Sequence, residues 1–283
     1  MKRTEFNMLQ AKSSKQTIHI YRQNGRTPII TQHAKTNKRP YIHPIVSPDG
    51  VGVITEDAPS HHPWQHGLYC GFNNINNIGF WEEGLRGGYD GTIRPKPLSE
   101  PVLKENRASW KVETEWHAPD GTHMITEKQI WTFTDHRDKY ELDLVWSLRA
   151  ETLLTFGQHI AGGLFLRMPF REELGGRAIN SYGLENEEAE AKPANWVAVS
   201  MPIENRKNWA GIAMMNHQDN PQHPVTWRVD DQLGISPSRC ISGEWTQEQG
   251  QIERYKHRLL IYCGESNTEQ IEENWNTFNN SLV

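Results

Sequence analysis

Polar and apolar residues alternate with a period of two over much of the chain. Within 108–116, Trp110, Val112 and Thr114 oppose Lys111, Glu113 and Glu115, which predicts a strand with one face in a core and one in water. Pro119-Asp120-Gly121 then turns the chain into a second run, 124–134, so the two predict an antiparallel hairpin. Tyr140, Leu142, Leu144, Trp146 and Leu148 alternate against Glu141, Asp143 and Val145 in the same way. Residues 17–21, closing at Asn24-Gly25, and runs 196–201, 209–215 and 254–262 add further strands.

One segment carries the helical period. In 268–282, Ile271, Trp275, Phe278 and Leu282 recur at spacings of four, three and four, and Ser266 with Glu269 fits a capping box. The Gly- and Pro-bearing stretch 83–101 reads as a long loop, and 175–193, with Glu185, Glu187, Glu188 and Glu190, as a solvated loop or short exposed helix. There is no repeat, low-complexity tract or composition shift to mark a linker. Many strands and one terminal helix predict an all-β antiparallel sandwich, a single domain over residues 1–283.

Charge and composition narrow the function. A net charge of −5 leaves no broad cationic face for a phosphate backbone, so no nucleic-acid partner is expected. No uncharged apolar stretch is long enough to span a bilayer, and residues 1–14 lack the apolar core of a secretory leader, so no membrane partner and a cytoplasmic location are expected. Cys70, Cys240 and Cys263 are far apart and predict reduced, buried thiols. The 13 His and 11 Trp supply side chains that move protons near neutral pH and stack on sugar faces.

Candidate chemistry concentrates where four histidines, His43, His61, His62 and His66, fall among Pro44, Pro59, Pro63 and Gly67. Pro63 holds His62 extended and rules out a helical His pair. These histidines could act as general acid and base, ligate a metal with a further side chain, or hydrogen-bond within a packed loop. From His66 on, period two predicts His66, Leu68, Cys70 and Phe72 on one face and Gly67, Tyr69 and Gly71 on the other. Residues 157–169 predict a strand pair broken at Gly162-Gly163, bringing His159 and Arg167 toward the first cluster. A buried Arg167 would need a carboxylate or a sugar hydroxyl. Residues 216–228 contribute His223 and Trp227 as a possible pocket wall. Glu82 and Glu83, adjacent on the chain, cannot both face one pocket, and Asp57 is a further carboxylate. The expected catalytic set is His62, His66, His159 and Glu82, with Arg39, His61, Trp64, Arg167, His223 and Trp227 around the substrate and His159, Arg167 and His223 converging on the 61–66 loop. No obligatory metal and no cofactor are expected, because Pro63, Trp64 and Gln65 leave no compact ligand set.

Arg39-Pro40-Tyr41 with His43-Pro44, the His62-Pro63…His66-Gly67-Leu68 box, Asn76…Gly79-Phe80-Trp81 and Asn220-Pro221-Gln222-His223-Pro224…Trp227 together resemble the DUF6807 family, whose members often carry the label methane oxygenase PmoA. The likeness runs from about Arg39 to the terminal helix. Many members have an HPHHRG-like box; here Trp64 and Gln65 stand at two of its imidazoles and His66 at its Arg. The oxygenase label implies a membrane copper subunit, which the hydropathy of this chain excludes. The resemblance implies a sandwich similar to galactose mutarotase, in which histidines and a carboxylate act on sugar rings, and a role beside sugar oxidoreductases. The expected function is imidazole acid/base chemistry on a sugar or keto-sugar, as a lyase, hydrolase or epimerase. The alternative is a non-catalytic sugar-binding module.

Overall fold

The computed structural model describes residues 8–280; Leu282 of the expected helix lies outside them. Two antiparallel sheets face each other. The nine-stranded sheet runs Arg177–Asn180, Trp196–Met201, Ala210–Asn216, Ile252–Cys263, Lys139–Ala150, His123–Asp135, Arg107–His117, Thr92–Pro95, with Val102–Lys104 on the edge beside Arg107–His117. The eight-stranded sheet runs Leu9–Ser13, Thr17–Arg22, Ile30–His33, Tyr41–Ile45, Leu68–Phe72, Gly162–Leu166, Ile235–Pro237, Trp227–Val229. Leu154–Phe156 and Trp245–Gln247 form a small third sheet. The antiparallel sandwich with a C-terminal helix, Thr268–Asn280, is therefore the fold.

Alternation sets which side chains enter the core. Trp110, Val112, Thr114 and Trp116 point inward from one strand and Tyr140, Leu142, Leu144, Trp146 and Leu148 from another. Buried Trp side chains each bring an N–H that needs an acceptor. Glu127, 1% exposed, provides one for two of them: its carboxylate accepts from Trp116 at 2.9 Å, Trp146 at 2.7 Å, Thr114 at 2.5 Å and Gln129 at 2.7 Å. Four donors offset the cost of burying that group between the sheets.

Several expectations change. Gly162-Gly163 is no turn: both lie inside a strand, where a side chain at Gly162 would meet Phe72 at 2.8 Å and Cys240 Sγ at 2.9 Å. Asn24-Gly25 turns the chain, but within a longer loop, since the strands it joins pair only from Ile20 with Ile30. The stretch 83–101 contains the strand Thr92–Pro95, and 175–193 contains the strand Arg177–Asn180 as well as the expected short exposed helix, a 3-10 turn at Asn186–Ala189. The helix is capped by Asn267, whose side chain accepts from the Gln270 N–H, while Ser266 bonds Tyr262 and Ser200. Cys263 is exposed, whereas Cys70 and Cys240 are buried.

Candidate functional site on the outer face of the eight-stranded sheet

The register of the eight-stranded sheet builds a row of rings on its outer face. His33 pairs with Tyr41, Tyr41 with Tyr69 and Tyr69 with Phe165, so four neighbouring strands place these side chains side by side while Ile42, Leu68, Cys70 and Leu164 point to the core. His33 stacks on Tyr41 at 4.6 Å, and Trp81 stands edge-on to Tyr69 at 5.1 Å and to Phe165 at 5.4 Å. Gly71 makes room for this layer, because a side chain there would meet the Phe80 carbonyl at 2.7 Å and the Arg39 guanidinium at 3.2 Å.

Arg39 lies on this row. Its guanidinium sits 3.8 Å above the Tyr69 ring and donates to the carbonyls of Trp81 at 2.6 Å and Trp64 at 2.5 Å. The expected substrate ligand Arg39 thus ties Trp64 and Trp81 to the sheet.

His66 falls on the same outer side, against the expected alternation with Leu68. Gly67 adopts φ +55°, in the left-handed region, and this breaks the period of two between His66 and Leu68. His66 stacks on Tyr41 at 4.7 Å, donates from Nδ1 to Asp57 at 2.5 Å and from Nε2 to Glu83 at 3.1 Å. Burial alone would lower its pKa, but the two carboxylates raise it, while the imidazole holds both Asp57 and Glu83 below the ordinary carboxylate range against their own burial. His66 is therefore an imidazolium clamped on both sides. The clamp closes the loop 57–66 at its base, where Asp57 and His66 bridge through their backbones, and turns at Pro59–His62 and His62–Gln65 shape the loop within it.

That loop carries His61, His62 and Trp64. His62 is edge-on to His61 at 4.8 Å and to Trp64 at 5.2 Å; burial lowers its pKa, neighbouring His61 and Arg167 add to the effect, and its Nδ1 is buried without a partner. It is neutral at neutral pH. Arg167, 1% exposed, donates from Nε to Glu56 at 3.1 Å, and Arg171 reaches the other Glu56 oxygen at 2.8 Å. Arg167 also approaches His61 Nε2 at 3.1 Å, and Gln232 Oε1 lies 2.8 Å from the same nitrogen. One ring nitrogen cannot accept from Arg167 and donate to Gln232 at once, so these two contacts are alternatives. Arg167 keeps NH1 without a partner. Beside them opens a cavity of about 640 Å³ lined by His61, Arg167, Phe170, Arg171, Asp231 and Gln232, among others.

His159 contacts the carbonyl of Ala161, which packs with Tyr69 and Trp81, so it sits at the edge of the aromatic cluster with no direct contact to His62 or His66. Glu82 lies 3.9 Å from Arg86, and it is its neighbour Glu83, at φ +54°, that reaches His66. His223 is not brought to this face: it bonds Asn216 at 3.0 Å and stacks on Trp275 of the C-terminal helix, across the sandwich. Trp227 is fully buried in the main core and donates to the Ala194 carbonyl. Period-two reasoning had no signal for Asp230, whose carboxyl pKa is raised by burial and whose charge reaches His62. No helix among the described residues is long and apolar enough to cross a membrane.

A search of curated proteins finds no match. Among solved structures, the chain is similar to an alpha-galactosidase from Lactobacillus brevis at 8% identity and a TM-score of 0.43, covering 93% of this chain and 40% of that one. It is also similar to a galactose mutarotase related enzyme from Lactobacillus acidophilus at 6% identity and a TM-score of 0.34, covering 90% and 97%. A third likeness is to the GH36 alpha-galactosidase AgaB from Geobacillus stearothermophilus, at 8% identity and a TM-score of 0.40, covering 92% and 41%. The chain spans about 40% of the length of the first of these galactosidases. The DUF6807 signature matches residues 12–276, nearly the whole chain, and the protein belongs to this family, which is described as a family of unknown function.

Proposed function

We propose that the cavity beside the 57–66 loop binds a sugar or keto-sugar and that His62 moves a proton on it. The observation that carries this reading is a pair of incomplete groups joined through His61, whose ring lies 4.8 Å from that of His62 and whose Nε2 lies 3.1 Å from Arg167 on the cavity wall. His62 is an imidazole held neutral with a buried, unpartnered Nδ1, and Arg167 is a buried guanidinium whose NH1 has no partner. An unmatched buried polar atom costs on the order of 1–3 kcal/mol, so each of the two calls for a water or a ligand hydroxyl to complete it. The cavity walls mix Arg167, Arg171 and His61 with Glu56, Glu172, Glu173 and Asp231, which suits a ligand offering donors and acceptors in equal measure. Sugars do so.

In this reading His62 takes the proton from the carbon beside a carbonyl, the C–H electron pair moves onto the carbonyl oxygen, and Arg167 offsets the charge that develops there. Return of a proton to the opposite face of that carbon gives epimerisation, and departure of a neighbouring hydroxyl as water, carrying the proton that His62 took, gives elimination. His66 is a positioning residue, because its two carboxylate partners leave it no free nitrogen. Arg39 and Trp64 position the same layer.

The test is a thermal-shift screen of sugars and keto-sugars followed by NMR of the hits. Side-chain proton transfer is worth about 10²- to 10⁴-fold, so His62→Ala lowers turnover on that scale with the melting temperature nearly unchanged. A hit that stabilises the protein with no product formed identifies a sugar-binding module instead. Unfolding of His62→Ala would mean that the side chain serves packing alone.

A further inference from the structure

A second imidazole–carboxylate cluster lies on the other sheet, outside the proposed sugar site. Glu115 and His117 are two positions apart on the strand Arg107–His117, and His123 begins the strand that pairs with it. A register shift between Trp116 and His117 sets His117 opposite His123, and their rings stack at 5.0 Å with 14° between planes. The turn between them is tied by the Ala118 N–H to the Thr122 carbonyl and the Gly121 N–H to the Ala118 carbonyl.

Each imidazole has one nitrogen engaged by a backbone carbonyl. His117 Nδ1 lies 3.1 Å from the Gly121 carbonyl oxygen, and His123 Nε2 lies 3.1 Å from the Ile125 carbonyl oxygen. Carbonyls only accept, so these contacts place ring protons on those two nitrogens; His123 Nδ1 keeps its electron pair, and His117 Nε2 faces the Glu115 carboxylate, so an ion bound there takes the place of the proton between them. A carbonyl that fixes the tautomer from behind is the usual support of a metal-ligating histidine. Glu115 completes the set: Oε1 faces Lys96 at 3.3 Å and Oε2 faces His117 Nε2 at 3.3 Å.

From this arrangement we infer that Glu115, His117 and His123 form a binding site for a divalent transition-metal ion of the zinc class. The three residues each offer a donor atom, all within 4.8 Å of one another. Tetrahedral bonds of about 2.1 Å place donors roughly 3.4 Å apart, so side-chain closure of little more than about 1 Å meets that geometry. Two imidazoles and a carboxylate select zinc-like ions over calcium or magnesium, which prefer oxygen alone. Half-exposed Glu115 leaves a fourth position open to water.

Full-length protein loaded with Zn²⁺, passed through a desalting column and measured by elemental analysis tests the site. The expected result is one ion per chain, lost in His117→Asn/His123→Asn and kept in His61→Asn/His62→Asn. Glu115→Gln, which preserves shape at a half-exposed position, weakens zinc affinity at least tenfold in chelator competition and decides the matter should the double variant fail to fold. Cu²⁺ in place of Zn²⁺ shows coupling to two imidazole nitrogens in its electron paramagnetic resonance spectrum. A wild-type protein that retains no zinc, or that holds it unchanged in Glu115→Gln, overturns the assignment.

Discussion

Each sheet carries a second cluster on its outer face, and each cluster has an arginine lying over an aromatic ring. Under the C-terminal helix, Arg258 sits 5.0 Å from the Phe278 ring, and each nitrogen of its guanidinium faces a carboxylate: Asp143 accepts from Nε at 2.6 Å and NH2 at 2.9 Å, and Glu141 faces NH1 at 3.7 Å. On the eight-stranded sheet, Arg39 sits 3.8 Å from the Tyr69 ring with carbonyl partners and an unpartnered Nε, and neighbouring Arg167 has an unpartnered NH1. The helix covers the first cluster with Ile271, Phe278 and Trp275. Only loops frame the second. A guanidinium with all its nitrogens facing carboxylates serves the fold, whereas one kept short of partners beside a cavity is ready to donate to something that arrives.

The largest effect that sharpens this contrast is on stability. Phe278→Ala removes a ring fully buried between helix and sheet and is expected to cost about 3–5 kcal/mol in chemical denaturation, with sugar affinity unchanged. A loss of affinity as large as the loss of stability would mean that the two faces are coupled.

Next in size is Arg167→Met. Glu56 keeps Arg171 as its partner, so the fold survives, while ligand affinity falls about tenfold or more for loss of a charged donor, roughly 1.5–3 kcal/mol. Titration calorimetry with a hit from the sugar screen reads this directly. Unchanged affinity would remove Arg167 from the binding site.

A smaller effect reports the His66 clamp. His66 has its pKa raised in the folded protein, so its contribution is fully present below the ordinary histidine value of about 6.5 and is lost as pH rises through the raised one. Asp57 and Glu83 have theirs lowered, so their contribution is present above ordinary carboxylate values and lost as pH falls through the lowered ones. The difference in melting temperature between wild type and His66→Gln is therefore expected to be largest at about pH 5–6 and to shrink on both sides. A difference independent of pH would show that His66 acts by packing.

Much of the fold was legible in the chain because its long strands are half-buried: Arg107–His117 and Lys139–Ala150 write their two environments as alternation. Strands buried on both faces give no such signal. Gly162–Leu166 reads as a glycine turn, although its first glycine is there because Phe72 and Cys240 leave no space for a side chain. The candidate site was legible as a loop, since the prolines and histidines of 57–66 are contiguous. Its partners were not. The choice of Glu83 over Glu82 depends on a positive φ at Glu83, and the side on which His66 lies depends on one at Gly67. The segment carrying His223 resembles the first loop in composition, yet it packs against the helix on the opposite sheet. Local patterns do not encode which sheet a loop returns to.

The proposed function has ligand arriving at the loop-framed face. Indole N–H resonances in ¹⁵N-labelled protein, assigned by single Trp→Phe substitutions, separate the two faces, because Trp64 and Trp81 lie on one and Trp196 and Trp275 on the other. Titration with a sugar that stabilises the protein is expected to shift the Trp64 and Trp81 signals and leave those of Trp196 and Trp275 in place. Shifts confined to Trp196 and Trp275 would place the ligand on the helix-covered face and overturn the proposed function.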